Sequence, residues 1–286
     1  MGIVAFIYIL SLLDYNMVYR SIVELNLKYL SIFILSWFAF FIIKVYRWHS
    51  VQNYFSKPLS FKQNLWIYIE TLYLSYVTPS RVGDIARVWI VKEYFNIDKK
   101  ETFIAYIFDR VQDLFFLIIC ALFGLLLIVD IAVSNYIYIG MIIFIILYIF
   151  KNKILNKFKD QINISENIKT TFSFEVKIFL INSIAFFFYF LQIYFLAKAM
   201  NLDIPYLFVV ALLSISAIAT LIPISVGGLG VREGIFIYLL ATINISKENA
   251  VLLSLLDNVV FVAVFILLLH LFSKFYLKNK VGVNQW

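Results

Sequence analysis

The sequence predicts an all-α fold: a polytopic helical membrane protein built from two inverted repeats, each holding a Pro/Gly-broken, re-entrant helix pair. Three observations predict it. Of 286 residues, 63% are hydrophobic and 14% are charged, against about 25% charged in soluble domains. Apolar runs cover nearly the whole chain and leave no stretch for a soluble catalytic domain. Two of those runs are interrupted by the same Pro-x-x-Val-Gly pattern, at Pro79–Gly83 and at Pro223–Gly227.

A membrane span needs roughly 20 apolar residues. The segments that meet this need are 29–47, 102–129, 134–150, 176–199 and 248–273. The apolar run 2–13 is short, and whether it forms a full span stays open. The broken pairs are 61–78 with 85–95, and 205–222 with 229–243. Parity does not separate two half-spans from two full spans, since either returns the chain to its starting side. The chain is read as one membrane domain, 1–286, with no basic n-region or small-residue cleavage site at its start, so a removable signal peptide is not expected.

Loop charge orients the spans. Fifteen Lys and Arg residues lie in 47–62, 92–100, 151–177 and the C-terminal tail, against four (Arg20, Lys28, Lys198 and Lys247) in the other connections. This bias places the basic loops and both termini in the cytoplasm, with the chain multi-pass in the cell membrane. It also accounts for the net charge of +7 without nucleic acid. Cys120 is the one cysteine, and His49 and His270 lie far apart in sequence. A metal site, a cofactor and a Ser-His-Asp triad are therefore not expected, and no residue is read as catalytic.

The two broken pairs sit at an offset of 144 residues. Downstream, Lys100-Glu101 precedes Asp109-Arg110 as Lys247-Glu248 precedes Asp257-Asn258. The repeat units run from about 29 to 130 and from about 175 to 274, with the single run 134–150 between them, so the second unit is inverted. In this arrangement the second half-helix of each pair starts near mid-membrane. Its free N–H groups and dipole favour an anion.

Charged residues inside a bilayer are costly and rare, and they mark function. Here they gather at the breaks. The candidate substrate-binding set is Arg81, Gly83, Asp84 and Arg87 at the first break, and Gly227, Gly228, Gly230, Arg232 and Glu233 at the second. Glu70, Asp109, Arg110, Asp113 and Asp257 form a supporting or proton-coupling set. Helical spacing puts Asp84 and Arg87 on one face, and Asp109 and Asp113 on another. Arg forks suit a lipid phosphate; internal ion pairing and helix capping are the alternative use of the same residues. Lys44, Arg47 and Trp48 read as anchors at the membrane interface.

Arg47-Trp48, Pro79-Ser-Arg-Val-Gly-Asp-Ile-Ala-Arg87, Asp109-Arg110-Val-Gln-Asp113 and Pro223-Ile-Ser-Val-Gly-Gly-Leu-Gly-Val-Arg-Glu233 together resemble the lysylphosphatidylglycerol synthase transmembrane region, or flippase-like domain family. The resemblance covers about 29–273. It departs from the family pattern at Ser80, where members usually carry Gly, and at Asp109, where they often carry Glu. It implies a lipid translocator. Two-part members add a soluble aminoacyl-transferase; no such stretch follows in the sequence up to Trp286, so lysyl transfer is not expected. Three functions follow for comparison: a translocase for an anionic or phosphate-bearing lipid or lipid-linked glycan, a membrane-embedded enzyme acting on a lipid phosphate, and a non-catalytic partner in lipid or glycan biosynthesis.

The orientation is checked by thiol labelling of intact cells. Asn201→Cys is expected to label from outside and Asn156→Cys to be protected; the reverse pattern overturns the orientation.

Overall fold

The computed structural model describes residues 11, 14–78, 82–126, 170–220 and 230–277. Among them there are ten α-helices and no strand. In chain order they are α1 (Tyr15–Val23), α2 (Leu27–Phe55), α3 (Phe61–Val77), α4 (Ala86–Phe95), α5 (Lys99–Leu126), α6 (Phe172–Ala199), α7 (Tyr206–Ala219), α8 (Val231–Ala241), α9 (Lys247–Leu255) and α10 (Ala263–Phe272). A short 3-10 turn, Val82–Ile85, leads into α4. Two π turns, Leu256–Val262 and Ser273–Leu277, flank α10. The predicted run 134–150 and all of 2–13 but Ser11 lie outside the described residues, as do both break prolines, Pro79 and Pro223.

α2 and α6 are long and apolar enough to cross a membrane. At 29 residues, α2 extends about 43 Å. The two helices run antiparallel along their whole length. The Asn26 N–H donates to the Ala199 carbonyl at 2.8 Å, and at the other end the Tyr54 ring stacks on Phe174 with centroids 3.7 Å apart. α2 continues eight residues beyond the span end expected at position 47. Lys44, Arg47 and Trp48 are thus interior residues, all buried, and not the interface anchors that the sequence suggested.

Helix ends follow local chemistry. Ser60 and Gln63 form a reciprocal capping box at the start of α3. Thr171 and Ser246 accept first-turn N–H groups of α6 and α9. Asn96, Asn201 and Asn244 take left-handed backbone angles just beyond α4, α6 and α8, a conformation that asparagine tolerates better than most residues.

Each broken run is two helices, as its Pro/Gly interruption predicts. In the first, α3 ends at Val77 and the Thr78 hydroxyl accepts from the Gly83 N–H at 2.8 Å. Gly83 then lies directly on the α3 backbone: a Cβ there would fall 2.2 Å from the Leu74 carbonyl carbon and 2.4 Å from the Ser75 nitrogen. At the crossing of α5 and α7, a Cβ on Gly124 would fall 2.4 Å from that of Ala211, the small-residue contact by which membrane helices approach closely.

Packing proceeds in a regular order. α2 lies on α6, α3 on α4, α4 on α5, α7 on α8 and α8 on α9; α5 covers α7 and α10 covers α3. Two apolar cores result. One centres on Trp37, Trp48, Trp66 and Ile67 of α2 and α3. The other centres on Phe190, Leu196, Leu212 and Phe236 of α6 to α8.

Gly83→Ala is expected to destabilise the protein by on the order of 3 kcal/mol, because the obstructing atoms are backbone and cannot rotate away. Gly234→Ala, with nothing within 4 Å of the added carbon, is expected to stabilise by about 0.5–1 kcal/mol as an ordinary helix substitution. Unfolding midpoints in detergent separate the two; equal midpoints would refute the close contact at Gly83.

Candidate functional site: a buried ion-pair network

Four cations and three carboxylates meet between α2, α4 and α5. Arg47 of α2 is fully buried, at 0% exposure. Its Nη2 lies 2.7 Å from Asp109 Oδ1, and its Nη1 meets both Asp113 of α5 and Asn182 of α6. One helical turn earlier, Lys44 also pairs with Asp113. The i, i+4 spacing of Asp109 and Asp113 therefore presents both carboxylates to the same arginine. Asn182 completes the corner by donating to the Gln112 carbonyl at 3.1 Å.

Arg87 and Arg110 approach the same carboxylates from the other side. Arg87 Nη2 lies 3.4 Å from Asp84 Oδ1, on the shared face that their spacing predicted, and its Nη1 lies 3.6 Å from Asp109 Oδ2. Its Nε donates to the Thr71 hydroxyl of α3 at 3.0 Å. Two aromatic rings lie against the guanidinium, Trp48 at 4.7 Å and Tyr68 at 4.6 Å. Arg110 reaches Asp84 at 3.0 Å and Asp109 at 2.8 Å. Its side chain is 31% exposed, whereas that of Arg87 is 1% exposed. Arg110 is thus the most exposed cation of the group; its Nε is buried without a hydrogen-bond partner among the described residues, as are Arg47 Nε and Arg87 Nη1.

A second polar group forms where α8 meets α9 and the first π turn. Arg232 pairs with Asp257 at 2.5 Å and lies over the Phe236 ring at 5.1 Å. Its Nε is buried without a hydrogen-bond partner among the described residues. Glu233 turns back to accept the Gly230 N–H at 2.6 Å and also accepts from the Ser254 hydroxyl at 2.9 Å. Glu233 thereby caps α8, the alternative use that its first-turn position left open.

The structure thus brings Asp84, Arg87, Asp109, Arg110 and Asp113 together, and Gly230, Arg232, Glu233 and Asp257 together. Gly83 holds the first turn against α3. Glu70 stands apart from both groups, beside His270 and Ser273. Arg81, Gly227 and Gly228 lie outside the described residues. Sequence reasoning missed Lys44, Arg47 and Asn182 as members of the network. The available signal was a lysine and an arginine one turn apart (i, i+3) at the end of the apolar run 29–47, with an acid pair one turn apart (i, i+4) in another run. Among the described residues no group of three or more His, Cys, Asp or Glu side chains is placed to hold a metal ion.

Removing a carboxylate from the middle of this network strands a buried guanidinium. Asp109→Asn is expected to cost about 3–5 kcal/mol. Asp203→Asn, which breaks the surface pair with Lys198, is expected to leave the unfolding midpoint unchanged. Matching effects at the two positions would refute a buried, interdependent network.

No curated protein and no solved structure matches the chain. The family model for the lysylphosphatidylglycerol synthase TM region matches residues 1–269. The described helices, the two long apolar ones among them, agree with a membrane region of this kind. By that match, which covers nearly the whole sequence, the chain belongs to the lysylphosphatidylglycerol synthase transmembrane-region family.

Proposed function

We propose that the chain moves an anionic or phosphate-bearing lipid, or a lipid-linked glycan, between the leaflets of the cell membrane. The observation that carries this reading is the buried network, in which, among the described residues, four cations face three carboxylates and Arg110 is the most exposed of the cations. Charged groups within apolar helices are expensive and usually functional. A phosphate or carboxylate headgroup meets an exposed guanidinium through charge-assisted hydrogen bonds. Family membership supports the same reading.

The inverted-repeat plan explains how one headgroup serves both leaflets. It is supported by the order of packing, in which α5 on α7 mirrors α10 on α3 and α4 on α5 mirrors α8 on α9. The antiparallel course of α2 and α6, the first helices of the two units, supports it too. On this plan the broken pairs are re-entrant, and Arg81 and Arg232 stand on the two Gly turns that meet near the centre of the membrane. Asp84, Asp109 and Asp113 hold the surrounding cations in place. Arg87, with two rings against it, acts as a positioning residue, and Arg110 and Arg232 keep donor capacity for the headgroup. The basic loops facing the cytoplasm attract anionic lipid to that side.

The test is leaflet transfer of labelled lipids in reconstituted liposomes. The wild-type protein is expected to move anionic lipids faster than zwitterionic ones without altering them. Arg81→Lys and Arg232→Lys keep the charge and lose the bidentate fork. Loss of one charge-assisted hydrogen bond, about 1.5–3 kcal/mol, lowers transfer by about tenfold or more while expression and folding persist. Full transfer by both variants removes the shared-site mechanism. A chemically new lipid product turns the assignment to a membrane-embedded enzyme.

A further inference from the structure

We infer that Glu70 and His270 form a proton-binding site that clasps α3 to α10. The two residues stand 200 positions apart and belong to neither polar group described above. Glu70 Oε2 faces His270 Nδ1 at 3.1 Å. Its other oxygen, Oε1, accepts from the Ser273 hydroxyl. The imidazole lies flat on the Tyr73 ring, with centroids 4.1 Å apart and planes inclined by 11°. Both side chains are about one-fifth exposed, at 19% and 21%. His270 Nδ1 is buried and, although it faces Glu70, makes no hydrogen bond among the described residues. A proton on the imidazole thus has a carboxylate beside it to offset the resulting charge.

The chemistry is a simple proton exchange. Water supplies the proton, an N–H or O–H bond forms on the pair, and no other bond changes. Tyr73 stacks on the imidazole itself, and several other ionisable groups of the packed elements are engaged elsewhere. On α2, Lys44 and Arg47 are held by Asp113 and Asp109. At the first break, Asp84 and Arg87 bind each other and Arg110. Asp257, in the first π turn, holds Arg232. Lys274 follows Ser273 and points outward, exposed. Among the described residues Glu70 therefore has His270 as its one ionisable partner.

The position of the pair makes its protonation consequential. Glu70 is followed by Thr71, which accepts from Arg87 of the first network. Further along α3, the Tyr76 hydroxyl donates to the Asn258 carbonyl at 2.5 Å, beside the Asp257 that holds Arg232. α3 thus touches both charge groups and the proton site. Two hydrogen bonds that it makes to the last helical segment fall at Asn258 and Ser273, one in each π turn. Wide turns of this kind expose backbone carbonyls and recur at functional sites. Use of the proton to drive lipid movement rests on the translocase reading; the site itself does not.

A nitrogen-15 titration of histidine-labelled protein tests the site. The chain has two histidines, so H270N assigns the signals and His49 serves as an internal control. The signals of the His270 imidazole are followed as a function of pH. E70Q is expected to change its proton affinity by about threefold or more, and S273A, which leaves both ionisable groups, by less. Superimposable curves in wild type, E70Q and S273A overturn the proposal; should E70Q fail to fold, E70D and S273A carry the comparison. Lipid transfer assayed on the same samples keeps the two readings apart. Coupled titration without transfer retains the site and discards the translocase. Transfer with uncoupled titration does the reverse.

Discussion

The charge of Arg47 is the constraint around which this molecule is organised. A guanidinium at 0% exposure in the middle of an apolar helix is tolerable only when opposite charges and hydrogen-bond acceptors surround it. Asp109, Asp113, Asn182 and the Asp109 carbonyl supply them. These groups come from α5 and α6, so satisfying one side chain fixes how two further helices stand against α2. The same carboxylates then recruit Lys44, Arg87 and Arg110, and through Arg87 the hydroxyl of Thr71 on α3. One connected set of polar contacts joins five helices.

What that set supplies is registry. Lipid tails are as apolar as leucine, so burying an apolar face against another helix gains little over leaving it in lipid. Two smooth helices can then slide at small cost. Close contact sets the distance between helices, as at Gly124 and Ala211. Stacked rings such as Tyr54 on Phe174 fix the ends. Neither sets the register of the interior as strictly as a carboxylate that must meet two cations. The aromatic rings share this work where they face a cation: Trp48 is at once a core residue of α2 and one wall of the Arg87 slot.

The helices were legible because apolar length and Pro/Gly interruption are local properties. The expected runs 61–78, 85–95, 102–129 and 176–199 correspond to α3, α4, α5 and α6 within a few residues. The face shared by Asp84 and Arg87 was equally local. Arg47 was not. Read along the chain, it lies between an apolar run and a stretch with Lys57 and Lys62, which is where an interface anchor belongs. Its partners are 62 and 66 positions away, and spacing within one helix does not report them. The π turns were also hidden, since the run 248–273 has no Pro or Gly to mark them. They are stabilised by contacts to α3 from far along the chain.

Residue type alone does not divide the arginines by role; their surroundings do. Arg87 has two rings against it, a hydroxyl on Nε and carboxylates at its tips, and its side chain is almost fully buried. Arg110 shares two of the same carboxylates but has a single ring contact, with Tyr106 at 5.9 Å, and keeps an open flank. Asp109, bound by three arginines at once, has no capacity to spare for neutralising more of Arg110. Arg110, which meets Asp84, Asp109 and Asp113, is nonetheless the cation of the group whose side chain is most exposed. A network assembled to neutralise a buried arginine thereby also holds one of its cations at the edge of the buried set.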